Sequence, residues 1–286
     1  MAQLHQRLHG KLPNQLDTSY CGCAAFLVCL LIDRPDIYVA YAIALWTGND
    51  YTFHALRRSL EVSATPGTMK ALSDIQGRKS RSGFINDLDW MTMASLSAAS
   101  HGGAPRNADD SGGIFSQFNA ITWPSMIRKW FGAVGCQPQL DSVGFGVVSC
   151  SSEDVLDLLA LWDHHWLVME IDASLLNGGG ASIKNRHWVV VNPVYRPTVQ
   201  PEGKGARQFP AAYRDAVRKS PWGSAPPPVE ANSAMSMVRQ TMATVGRATV
   251  DMQVVSWADD TYRFRQPTLD HIASLFYGGY AFPRIR

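Results

Sequence analysis

The chain has little charge, few cysteines and no long hydrophobic run. Charged residues make up 17% of its 286 residues against 46% hydrophobic ones, which excludes wholesale disorder. Lys and Arg total 26 and Asp and Glu 24, a net charge of +2. The pI near 8.3 predicts no nucleic-acid partner, because a dedicated binder carries a basic stripe and a pI above about 9. Five cysteines are an odd number and too few for a disulfide scaffold, so a reducing folding compartment is expected. Residues 1–16 are polar and contain no apolar core of a signal peptide. The longest apolar stretches, 23–32 and 37–46, are separated by Asp33-Arg34-Pro35-Asp36. Each is half the roughly 20 residues a membrane span needs, so two buried helices and no membrane span are predicted. Cys21 and Cys23 have the wrong spacing for a zinc knuckle, and Cys136 and Cys150 stand alone. Gly178-Gly179-Gly180 leads into no Lys-Ser/Thr helix start, which argues against a phosphate loop. No metal or cofactor is expected.

What is present reads as helices first and strands later. Residues 21–100 read mainly as helix, with Asp36 capping a helix that runs to Trp46 and breaks at Gly48-Asn49-Asp50. Further helices are expected over 88–99 and 121–131, and over 155–162 behind Ser151-Ser152-Glu153-Asp154. Residues 63–83 and 100–113 read as surface loops. Strands are predicted over 166–171, 187–191, 250–257 and 262–264. Residues 193–246, which contain Pro226-Pro227-Pro228, are too long for a hairpin loop and read as an insertion. The expected fold class is α+β in one domain over 1–286, with a helical half at about 15–165 facing an antiparallel sheet at about 166–286.

The chemistry is concentrated around Gln15, Cys21, Gly22, Cys23, Ala24, Ala25 and Phe26. A cysteine opening an apolar helix meets unpaired N–H groups and the positive end of the helix dipole, which favour its thiolate. Small neighbours would let a substrate carbonyl approach. Gln15, six residues upstream, can return beside the sulfur and donate its side-chain N–H to an oxyanion. A thiolate needs a base, and His187 opens the apolar strand His187-Trp188-Val189-Val190-Val191.

Gln-x5-Cys-Gly, the following Ala-Ala-Phe and a later His leading a Val-rich strand resemble the papain-like cysteine peptidase superfamily. The pattern looks most like bacteriocin-leader peptidases and papain-like effector toxins of type VI secretion. The resemblance implies Cys21 as nucleophile, His187 as base and acid, and Gln15 as oxyanion donor. Val254-Val255-Ser256-Trp257 is similar to the family's Asn-Ser-Trp, but Val255 stands where the family has Asn. That leaves the third member open among Ser256, Asn192 and Asp259, or absent in a Cys–His dyad. Asn192 lies five residues past His187, so on a regular strand it faces the other side. The segment 88–96 also resembles such effectors, loosely.

Plainer readings stand beside these. A lone cysteine is usually a small buried hydrophobe. Cys29 fits that description. Cys23 is the rival nucleophile, because Cys-Ala-Ala-Phe also resembles papain, but the Gln spacing favours Cys21. His187 has a structural reading too, with His164-His165 the next choice of base. His54 and His101 read as surface residues. Trp46 and Trp90 read as core, while Trp188 and Trp257 could line a cleft. The basic residues of the insertion read as a solvated face. The resemblance implies a cysteine protease acting on a protein substrate. It would be a toxin made in a bacterial cytoplasm, exported without a cleaved leader, acting in a target cell and plugged by an immunity protein. A peptidoglycan amidase of the same chemistry and an inert binding module are the alternatives.

Overall fold

The computed structural model describes residues 1–16, 18–64, 79–80, 83–101, 122–143, 150–177, 186–201, 214–215, 217–218, 245–256 and 260–286. The chain is α+β, with helices leading and a mainly antiparallel sheet following. It divides into two compact units: Met1–Gln137 with Ser256–Asp260 and Ile285–Arg286, and Pro138–Val255 with Thr261–Arg284.

The first unit begins with α1 (Ala2–Leu8), α2 (Cys21–Asp33) and α3 (Pro35–Trp46). Helix α2 is apolar around nearly its whole circumference and is buried to match, from Cys21 to Leu31 with Ala24 excepted. It ends where Arg34, forced out of the helical region by the proline after it, adopts φ −135° and ψ 67°. Pro35 then opens α3, so Asp36 lies in the first turn, where it pairs with Arg34 instead of capping. In α3 the buried positions are Tyr38, Tyr41, Ala42 and Leu45, an i, i+3, i+4, i+7 stripe. Trp46 falls off this stripe and is 55% exposed, which corrects its assignment to the core. Gly48, at φ +76°, ends the helix as expected.

Residues 51–62 are not helical. They form the hairpin β1 (Tyr51–Ala55) and β2 (Arg58–Val62), paired antiparallel with Phe53 opposite Leu60. The signal is period two, Tyr51 and Phe53 against Leu60 and Val62, around a glycine-free turn at Leu56-Arg57. His54 is exposed on β1. A short pair, β3 (Lys79–Ser80) and β4 (Gly83–Phe84), precedes α4 (Asp87–His101) and α5 (Pro124–Ala133). Both helices follow the expectation, although Ile121 lies outside the described residues. His101 ends α4 half-buried. Phe26 of α2 meets Phe53 and Phe131 edge-on, with ring centroids 6.0 and 5.3 Å apart. Trp90 is buried, as expected.

The second unit contains β5 (Leu140–Asp141), α6 (Ser152–Ala160), β6 (His165–Asp172), α7 (Ser174–Asn177), β7 (Arg186–Val191) and β8 (Thr198–Gln200). A 3-10 turn at Val245–Arg247 leads to β9 (Thr249–Ser256), β10 (Asp260–Thr268), α8 (Leu269–Ser274) and β11 (Phe276–Pro283). The strands form a seven-stranded sheet in the order β10-β9-β7-β6-β11-β5, with β8 beside β9. All four predicted strands are present at nearly the predicted places. Ser151 and Asp154 close a reciprocal capping box at the start of α6.

Strand β11 carried no strand signal, because its sequence Phe-Tyr-Gly-Gly-Tyr-Ala-Phe-Pro puts two glycines mid-strand. The register on β6 shifts between Phe276 and Gly278, a bulge. Gly278 has φ +135°, and a Cβ there would lie 2.5 Å from the Val143 Cα. One face of the sheet forms an apolar core from Leu167, Met169, Ile171, Val189, Val191, Val250, Met252 and Val254 with Leu156 and Leu159 of α6 and Ile272 of α8.

Candidate active site

Cys21 is the first residue of α2, preceded by Tyr20, which offers no side-chain cap. The first N–H groups of this helix therefore depend on other acceptors, and the dipole end lies at the sulfur. Cys21 is 9% exposed, whereas Cys23 is fully buried. Burial and then the neighbouring Cys21 push the Cys23 thiol well above its ordinary value. Cys23 is thus held protonated with no surface to offer, which favours Cys21 of the two rivals. Cys29 is fully buried and acts as core, as expected.

Gly22 answers a packing demand. A Cβ there would lie 2.2 Å from Thr122 Cγ2, so the missing side chain makes room for Thr122.

Gln15 is 1% exposed and its Oε1 has no hydrogen-bond partner. Its backbone carbonyl accepts from Thr18 N at 3.3 Å and Thr18 Oγ1 at 2.7 Å. Leu16, next in sequence, has φ +52° and donates its N–H to Asn14 Oδ1 at 2.7 Å. Gln15 and Cys21 both belong to the first unit.

His187 belongs to the second unit, at the second position of β7 opposite Ile171. By strand alternation it shares a face with Val189 and Val191, which belong to the apolar core. It is 5% exposed, and burial lowers its imidazole to about 3. Burial therefore favours the neutral ring.

Asn192 follows the end of β7, about 16 Å along the strand from His187 at the usual rise per residue. Its Nδ2 donates to Gln253 Oε1 at 3.1 Å, its Oδ1 accepts from Val194 N at 3.0 Å, and its carbonyl accepts from Trp162 Nε1 at 2.9 Å. These bonds tie it to a turn, away from the histidine. Ser256 is the buried last residue of β9, and Val255 pairs with Val190 of β7. Trp257 and Asp259 lie outside the described residues, as do Gly178-Gly179-Gly180 and most of the insertion. Trp188 is buried and stacks on Tyr280, with ring centroids 6.1 Å apart. His165 is half-buried, with Nδ1 3.1 Å from the Leu161 carbonyl.

Sequence reasoning missed two ion pairs, the buried Arg7 with Asp89 and the part-buried Arg186 with Glu170. Asn86, three residues before Asp89 at the start of α4, was the available signal for the first. Among the described residues no helix is long and apolar enough to cross a membrane, and no group of three potential metal ligands occurs. Compared with protein-family models, with curated proteins and with solved structures, the chain matches none.

Proposed function

We propose that this protein is a papain-like cysteine hydrolase acting by acyl transfer on a protein substrate. Cys21 is the nucleophile, His187 takes and returns the proton, and Gln15 with the Cys21 N–H receives the oxyanion. The thiolate forms a C–S bond to the substrate carbonyl carbon. Collapse of the oxyanion expels the amine, which leaves with the proton His187 held, and water then hydrolyses the thioester. The observation that carries the reading is Cys21 at the first position of the apolar α2, whose N-cap residue Tyr20 makes no side-chain bond to the helix. The sequence pattern adds the biological setting: a bacterial toxin delivered by type VI secretion into a target cell, with an immunity protein as its partner.

One observation favours a second reading, an inert papain-like binding module. Burial holds His187 near 3, far from the range in which an imidazole works well as a general base.

Acylation by an activated ester such as p-nitrophenyl acetate separates the two. The hydrolase reading predicts a burst of nitrophenol equal to the enzyme present, with the acetyl group on Cys21 by peptide mapping. It also predicts that expression in a bacterial cytoplasm is toxic and that Cys21→Ala is harmless. A chain that acylates no cysteine, or that stays toxic as Cys21→Ala, is the binding module. Toxicity confined to periplasmic expression would point to the cell wall as substrate.

A further inference from the structure

The first unit buries an ion pair that plays no part in the proposed bond-making. Arg7 of α1 meets Asp89 of α4 with side chains only 4% and 0% exposed. Burying two charges is costly, and well-packed apolar residues of similar volume often stabilise as much or more. Stability alone therefore explains the pair poorly, and what else the carboxylate holds becomes informative.

Asp89 Oδ2 also accepts from Asn14 N at 2.9 Å and from Asn86 Nδ2 at 2.7 Å. Asn86 Oδ1 in turn accepts from Asp89 N at 2.8 Å, which fixes the carboxylate at the start of α4. Gln3 of α1 accepts from Leu88 N at 2.8 Å, joining α1 to the same helix start. The residue after Asn14 is Gln15. Beyond it the chain turns through Leu16 in the left-handed region, which is unfavourable for a non-glycine residue and which the Asn14 side chain stabilises. The Gln15 carbonyl is held by Thr18. The backbone of Gln15 is thus clamped on both sides, by Asp89 through Asn14 and by Thr18.

The geometry points to Asp89, with Arg7 as its counter-ion, as a positioning residue that aims the Gln15 amide at the developing oxyanion. This inference rests on the acyl-transfer reading. It is distinct from a packing role because it predicts an effect only on reactions that generate an oxyanion.

Two probes of Cys21 separate these roles. An activated ester passes through a tetrahedral oxyanion, whereas iodoacetamide alkylates by displacement at carbon and forms none. Arg7→Met/Asp89→Leu should slow acylation about 100-fold, the range expected for one lost oxyanion donor. Its iodoacetamide rate should stay within about threefold of wild type. Arg7→Met/Asp89→Asn keeps an acceptor for the Asn14 N–H and should acylate within about threefold of wild type. In a Gln15→Ala background the two double variants should acylate alike. If Arg7→Met/Asp89→Leu does not fold, Asn14→Pro deletes the N–H that Asp89 holds and carries the same expectation.

With Gln15 intact, both double variants acylating at the wild-type rate would overturn the positioning role alone. So would parallel slowing of both probes, which is what disturbed packing produces. A wild-type chain that acylates no cysteine would remove the acyl-transfer reading, and this role with it.

Discussion

The N-terminus of α2 and the start of β7 place their reactive side chains in opposite surroundings. At α2 a helix end without a side-chain cap meets Cys21, and its field favours the charged form of the sulfur. At β7 His187 shares a strand face with the core residues Val189 and Val191, and burial disfavours the charged form of the ring. A nucleophile needs the first environment and an acid-base catalyst is hindered by the second. The histidine is therefore the weak partner of the proposed pair, and the experiments that matter most bear on it.

The largest effect sharpens that contrast. Cys21→Ala should cost at least about 10³-fold in ester turnover, and His187→Ala should cost nearly as much, because residues acting as a unit fail together. Cys23→Ala, two residues along the same helix, should leave turnover within a few-fold, since that thiol is fully buried. Turnover kinetics on the three variants checks this.

The two ion pairs, one buried and one part-buried, allow a second comparison. Asp89→Ala leaves Arg7, 4% exposed, without its carboxylate and should cost about 3–5 kcal/mol in urea unfolding. Glu170→Gln should cost well under that, because the Arg186 side chain is 16% exposed and can regain water.

The third prediction concerns pH. His187 titrates near 3 when folded and near 6.5 when unfolded, so between those values the unfolded chain binds the extra proton. Its contribution to stability is complete above about 6.5 and is lost as pH falls towards 3, by at most about 1.4 kcal/mol per pH unit. Asp89 and Glu170 are both raised by burial and act with the opposite sign, favouring the folded chain in acid. Comparing His187→Gln with wild type at pH 4 and pH 7 cancels their effect. The variant should lose less stability on acidification.

A smaller effect is expected at Gly22. Gly22→Ala forces a Cβ into Thr122 and should cost about 1–3 kcal/mol, part of which Thr122→Gly should restore. Thermal unfolding of the single and double variants tests the coupling.

The legible parts of this chain were those with one strong local signal. Helices α2, α3 and α4 announced themselves by long apolar content between breakers, and β6, β7 and β9 by β-branched runs. The hairpin over residues 51–62 was missed because its turn, Leu56-Arg57, lacks the Asn-Gly or Asp-Gly that usually marks such a connection. Strand β11 was missed because Gly278 and Gly279 are required by the close approach of Val143 and Leu158, a tertiary demand invisible in sequence. At the candidate site, spacing is what singles out Cys21 and Gln15. The clamp on Gln15 was not legible, because Asp89 reaches the preceding Asn14 from 75 residues away. Nor was the burial of His187, which depends on the core that its strand joins.

The most direct test of the central claim is the pH dependence of iodoacetamide alkylation of the native protein, with the modified cysteine located by mass spectrometry. The account predicts rapid labelling confined to Cys21 below pH 7, slowed at least about tenfold in His187→Ala. Slow labelling that rises only near the pH of a free thiol, and is the same in His187→Ala, would contradict it.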